Sequence, residues 1–163
     1  MKKTLAILTL ATLSFGAFAA PVLTDSDTLL LKGKVEKKVS IVVTPEANAI
    51  LLDLTASPVD LKVAEVTEKA NVTAGYTVTI TSANAGKLVN EDDNTESINY
   101  TLKYNGAAIE LASPSAGNNE VEYLTKQLQP VDRDVTISYV GDDEEDLLAG
   151  DYSDTVTFGI AAN

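Results

Sequence analysis

The 163-residue chain carries 12 basic and 24 acidic residues and contains no histidine, cysteine or tryptophan. Its net charge of −12 argues against nucleic acid and anionic membrane surfaces as partners, because both require a positive footprint. The missing histidine and cysteine remove the usual zinc, haem, iron–sulfur and thiol chemistry and leave burial and strand pairing, without disulfides, to stabilise the fold.

Residues 1–19 have the three parts of a secretory signal: Lys2 and Lys3, an apolar run from Leu5 to Phe18, and Ala17-Phe18-Ala19 as a small-x-small cleavage site. The run is shorter than the roughly 18–20 residues of a membrane span, so export followed by cleavage is expected rather than anchoring. Cleavage after Ala19 leaves 144 residues, with 10 basic against 24 acidic side chains. That length suits one domain with a sizeable core. No later segment approaches spanning length, so no membrane insertion is expected once the signal is removed.

A polar leader, residues 21–27, precedes Thr28-Leu29-Leu30-Leu31-Lys32-Gly33-Lys34-Val35. One parity holds Leu29, Leu31, Gly33 and Val35 and the other holds Leu30, Lys32 and Lys34, the period of a strand with one face meant for burial. A lone strand at a free N-terminus cannot bury that face alone. It must return to its own sheet or fill the sheet of another molecule.

Further on, Val39, Ile41 and Val43 alternate up to Pro45, Ile50, Leu52 and Leu54 up to Ser57-Pro58, and Val59, Leu61 and Val63 follow. Tyr76, Val78 and Ile80 alternate with threonines and close at Asn84-Ala85-Gly86. Ile98, Tyr100, Leu102 and Tyr104 lead to Asn105-Gly106, a type I′ hairpin signal before the apolar stretch 107–111. Val135, Ile137 and Tyr139 precede Gly141, and Tyr152, Val156, Phe158 and Ile160 share one parity in a final strand. About eight strands at short spacing, with at most a turn of helix over 65–70, predict an all-β antiparallel sandwich.

The acidic stretches fall between these strands. Asn90-Glu91-Asp92-Asp93-Asn94 and Asp142-Asp143-Glu144-Glu145-Asp146 are rich in oxygen ligands, but neither matches the spaced calcium loop with its distal glutamate. Solvated loops are expected there, with no metal and no other cofactor. Nucleophile elbows, a histidine base and a phosphate loop are all missing. A carboxylate pair of the glycosidase sort is the one remaining chemistry, and nothing in the sequence places two acids in one cleft. The chain is therefore expected not to be an enzyme. Asn71-Val72-Thr73 and Asn99-Tyr100-Thr101 fit the glycosylation acceptor pattern, which arises by chance in threonine-rich strands.

The segment 26–35 resembles the N-terminal extension of chaperone-usher pilins, in which alternating apolar residues around a single glycine complement a neighbouring subunit. Residues 148–158, Leu-Ala-Gly-Asp-Tyr-Ser-Asp-Thr-Val-Thr-Phe, are similar to that family's last strand, which starts at a Gly-x-Tyr and continues through alternating Val and Phe. Two features depart from the pattern. There is no disulfide from the first strand, and the end is Ala161-Ala162-Asn163 where many pilins have a penultimate tyrosine. Residues 35–41 also resemble the mature start of cysteine-free pilins of the colonisation-factor type. On that alignment the inserted strand shifts to Val39, Ile41 and Val43.

The resemblance implies a signal peptide at 1–19, a donor-strand extension at 20–35 and an immunoglobulin-like antiparallel pilin sandwich at 36–163 that is incomplete until a neighbour's strand fills it. The donor face would be Leu29, Leu31, Gly33 and Val35, and the acceptor groove strand Tyr152, Val156, Phe158 and Ile160. It further implies a head-to-tail polymer of identical or related subunits, delivered by a periplasmic chaperone and an outer-membrane usher to a cell-surface fimbrium that supports adhesion or biofilm formation. Two other readings stay open: a self-contained secreted or periplasmic sandwich that binds carbohydrate, calcium or protein, and a carboxylate hydrolase.

Overall fold

The computed structural model describes residues 24–112 and 119–163; the expected signal segment and the start of the leader lie outside them. The chain divides between Lys34 and Val35 into two units. In the first, residues 24–34 form neither strand nor helix, and Leu29, Leu30 and Leu31 are 82%, 84% and 83% exposed.

The second unit holds β1 (Val39–Pro45), a 3-10 helix (Ala47–Ile50), β2 (Leu61–Ala70), β3 (Tyr76–Ser82), β4 (Lys87–Asn90), β5 (Ser97–Tyr104), β6 (Ala107–Ile109), β7 (Glu120–Tyr123), β8 (Gln127–Tyr139), β9 (Tyr152–Ser153) and β10 (Val156–Ala162). Every pairing is antiparallel. A seven-stranded sheet runs β1-β2-β8-β5-β4-β9 with β6 on β5, and a three-stranded sheet runs β10-β3-β7. The fold is thus all-β and sandwich-like, as the strand pattern predicts.

Alternation decides what lies inside. On β5, Ile98, Tyr100, Leu102 and Tyr104 are buried while Ser97, Asn99 and Thr101 are exposed; on β3, Tyr76, Val78 and Ile80 are buried. At Asn105-Gly106 both residues have positive φ, 49° and 81°, and Tyr104 stands opposite Ala107. That is the two-residue hairpin which only such residues accept without strain.

Three sequence expectations are corrected. Residues 50–54 form no strand, because their neighbourhood is tied into local turns: Leu51 N donates to Asn48 O (3.2 Å), Ala56 N to Asp53 O (3.2 Å) and Thr55 N to Asp53 Oδ1 (3.1 Å). Residues 65–70 form no helical turn but the second half of β2, paired with β1 on one side and β8 on the other. Two ladders of hydrogen bonds override the helix propensity of Glu, Lys and Ala. Finally, the last strand is divided: Tyr152 belongs to β9, opposite Asn90 of β4, and only Val156, Phe158 and Ile160 lie on β10.

Candidate functional site

Among the described residues β1 closes one end of the larger sheet and β10 one end of the smaller. Each has one partner only, β2 and β3 respectively. β1 and β10 approach each other without pairing, and the seam between them opens at the end of Val43, Pro45 and Val156. A trough of about 280 Å³ lies there, walled by Val43 and Pro45 of β1 and by Val156 and Phe158 of β10. Its floor is the core itself: Ala64, Leu88, Tyr100, Leu102, Val135 and Ile137. Past Asp154 it continues into a second hollow of about 510 Å³ that shares Ala49, Ile50, Leu52 and Leu88 and reaches Tyr152.

The 3-10 helix and the residue after it overhang this trough with apolar side chains that are exposed among the described residues, Ile50 at 83% and Leu51 at 79%. Their position follows from Pro45, which ends β1, and from the turns that hold residues 51–56. A second support is Gly141. A side chain there would collide with the carbonyl oxygens of Leu54 and Ala56, and Asp142 N donates to Leu54 O at 3.1 Å. The loop therefore packs backbone to backbone against the end of β8.

Asp154 marks the place where the two hollows meet. Its carboxylate accepts from Tyr100 Oη (2.6 Å), Ser82 Oγ (2.5 Å) and the backbone N–H groups of Asn84 (3.0 Å) and Thr155 (2.7 Å). These bonds fix the bend from β9 into β10. Burial and the adjacent Asp154 carboxylate hold the Tyr100 phenol above its ordinary value.

Behind Phe158 lies a buried polar cluster that sequence reasoning missed. Glu68 is fully buried, accepts hydrogen bonds from Tyr76 Oη (2.7 Å) and Tyr104 Oη, and pairs with Arg133 Nε at 3.4 Å. The Arg133 guanidinium also lies 4.8 Å from the centre of the Tyr123 ring, which stacks on Tyr76 at 4.9 Å. Tyr104 meets Phe158 at 5.9 Å between ring centres. One carboxylate thus ties β2 to β3, β5 and β8 across both sheets, directly beneath the groove wall.

The sequence-derived groove residues divide. Val156 and Phe158 line the trough, Tyr152 lines its continuation, and Ile160 lies beyond its end, half-buried against the core. Leu29 and Leu31 are exposed, as is Val35 at the start of the second unit (86%), and a side chain at Gly33 would meet nothing within 4 Å. Val43, Ile50 and Leu52 complete the lining. Their apolar alternation was visible, but a strand was the wrong form for 50–54.

Some side chains of the acidic stretches bond to their own backbone, as where Asp142 Oδ1 accepts from Asp143 N at 2.9 Å. Buried Asn90 accepts from the N–H groups of Asp92 (2.8 Å) and Asp93 (3.0 Å), and Asp93 accepts from Thr95 N (3.0 Å) and Oγ1 (2.7 Å). The latter bonds hold the Asp93 carboxyl below its usual range. Among the described residues no three acidic side chains converge as a metal would require. A separate, more polar cleft of about 680 Å³ lies between β5, β8 and the loops 57–59 and 140–147, on the face carrying Ser97, Asn99, Thr101 and Ser138.

No protein-family model and no curated protein matches the chain. Among solved structures, a chain of a chaperone–tip adhesin complex concerned with the biogenesis of CFA/I fimbriae is similar at 12% identity and a TM-score of 0.37, over 76% of this chain. The match spans 41% of that chain's length.

Proposed function

We propose that this chain is the structural subunit of a surface fimbria, exported with the aid of a chaperone and usher and polymerised by donor-strand exchange. The observation that carries the proposal is the open seam between β1 and β10, where core side chains form the floor of an apolar trough bordered by two unpaired strand edges. Edges of this kind are templates for a further strand, and a sizeable exposed apolar hollow marks a binding surface. The same chain carries residues 24–34, without secondary structure and with leucines exposed.

In this reading Leu29, Leu31 and Val35 of one subunit fill the trough of the next, and Gly33 lets the two backbones approach. At roughly 1.5–3 kcal/mol for each buried aliphatic side chain, three such residues contribute about 5–9 kcal/mol before ordering costs. The contact is head-to-tail and does not close on itself, so it produces an open fibre. The chain has no catalytic role in it.

Deletion of residues 20–35 tests the reading. The truncated body is expected to load onto its chaperone but to form no fibres by electron microscopy of the cell surface, and normal fibres from it would defeat the assignment of residues 28–35 as the donor strand. A second reading, a self-contained binding module, is favoured by the polar cleft beside β5 and β8. It predicts instead a stable monomer on size-exclusion chromatography whether or not residues 20–35 are present.

A further inference from the structure

The alternation of Leu29, Leu31, Gly33 and Val35 selects the face that an inserted strand turns toward the trough, but it does not select the register. A slide of one residue turns the apolar set outward, whereas a slide of two keeps the same face inward and puts each side chain in its neighbour's place. Something other than alternation has to stop the strand.

The trough is closed at one end. Its lining on β1 and β10 reaches only to Val43 and Phe158 and includes none of Val39, Ile41 and Ile160. Beyond that point, just before β1, Lys37 Nζ donates to the backbone oxygen of Asn163, just after β10, at 3.2 Å. This bond spans the seam between the two unpaired edges.

Both partners are held from below by the 71–75 turn, which leads from β2 in one sheet to β3 in the other. On the Lys37 side, Asn71 replaces a strand partner: its Oδ1 accepts from Lys38 N at 2.6 Å, its Nδ2 donates to Glu36 O at 2.9 Å, and its own N–H donates to Lys38 O at 3.0 Å. On the other side Asn163 N donates to Gly75 O at 3.1 Å, Thr77 Oγ1 donates to Asn163 Oδ1 at 2.8 Å, and Asn163 Nδ2 donates to Glu122 Oε1 at 3.3 Å. Gly75 has φ +93°, and a side chain on it would collide with the Tyr123 carbonyl oxygen. The turn is therefore fixed in shape.

We propose that Lys37 and Asn163, seated on the turn by Asn71 and Gly75, form an end stop that sets the register of a strand lying in the trough. The inference rests on the donor-strand reading above. The stop acts in two ways. It bridges the gap into which the strand would otherwise slide, and it places an ammonium group where a further apolar side chain would have to displace the water around it, which costs free energy without a replacement partner. Lys37 and Asn71 are positioning residues in this role.

The chain has no cysteine, so introduced pairs report register directly. Thr157→Cys on the outer face of β10 is combined in turn with Leu30→Cys, Lys32→Cys or Lys34→Cys in the full chain, and disulfide-linked dimers are scored after mild oxidation. One donor position is expected to cross-link between molecules in the parent chain and in Lys37→Arg, which keeps the cation. In Lys37→Met and in Asn71→Ala the products are expected to spread to a second position two residues away, at comparable yield. Because Lys37 is exposed, the Met substitution tests the stop even if Asn71→Ala prevents folding. A single unchanged register in Lys37→Met, or several registers already in the parent, overturns the stop and leaves the polymer reading standing. Absence of intermolecular cross-links in every combination overturns residues 28–35 as the strand lying in the trough, and the stop with it.

Discussion

Glu68 has two phenolic donors and one guanidinium, and it has no access to water. In that setting the loss of one partner matters more than the net worth of the pair, because the remaining charge stays buried without compensation. Replacing Arg133, whose side chain is 19% exposed, by Met is expected to cost about 2–4 kcal/mol; Tyr104→Phe, which keeps the cation, is expected to cost about 1–3 kcal/mol. Urea unfolding of the two variants checks both, and equal midpoints with the parent would show that the cluster is not under tension from burial. The same cluster makes stability depend on pH at the alkaline end. Burial first, and the Glu68 carboxylate second, hold the phenols of Tyr76 and Tyr104 above their ordinary value of 10.0. A proton bound more tightly in the folded than in the unfolded state contributes stability that is complete below the unfolded value and is lost as pH rises through the folded one. The melting temperature is therefore expected to show no tyrosine-linked loss below pH 10 and to fall above it, more steeply in the parent than in Tyr104→Phe. None of this was legible in the sequence. Glu68 sits at an inward position of a strand whose Glu and Lys content imitates a helix, and its cation comes from a segment 65 residues away.

At the scale of elements, the strands whose two faces differ in polarity could be read directly. β3 and β5 alternate without interruption, and the Asn105-Gly106 turn carries its own signature. The elements that escaped are those whose alternation is broken by charge or cut short. β4 and β7 have four residues each, and the first half of β8 is polar because it runs along the exposed part of the sheet. Residues 50–54 mislead in the opposite sense. Their leucines and isoleucine alternate because they overhang a trough, and the backbone that carries them is bound in turns. The 71–75 turn is the element on which the proposed stop depends, and Gly75 is its most constrained position. Gly75→Ala adds the cost of a side chain at positive φ to a collision with backbone, an expected loss of about 2–4 kcal/mol. Denaturant titration measures it. A loss much below 1 kcal/mol would mean that the turn shifts freely and cannot hold Asn163 in place.

For the molecule as a whole, the proposed donor-strand exchange has two candidate donors, residues 28–35 and β1. Residues 28–35 have the alternation, but β1 has the second resemblance, and it is the less buried kind of strand: Val39 and Ile41 are half-buried while Val42 and Val43 are 59% and 40% exposed. If β1 were the exchanged strand it would have to leave β2, with which it pairs over all seven residues from Val39 to Pro45; if residues 28–35 are exchanged, β1 stays where it is. A covalent tie between β1 and β2 separates the two. Ser40 stands directly opposite Lys69 and both are exposed. Facing residues of an antiparallel pair lie about 4.5–5.5 Å apart at Cα, within reach of a disulfide. The variant Ser40→Cys/Lys69→Cys contains no other cysteine, so the oxidised form locks β1 to its own body and the reduced form serves as its control. With residues 28–35 as donor, oxidised and reduced subunits are expected to give fibres of equal number and length. With β1 as donor, oxidation before assembly abolishes fibres while reduction restores them, and that result would transfer the donor role to Val39, Ile41 and Val43 and reduce residues 24–34 to a leader.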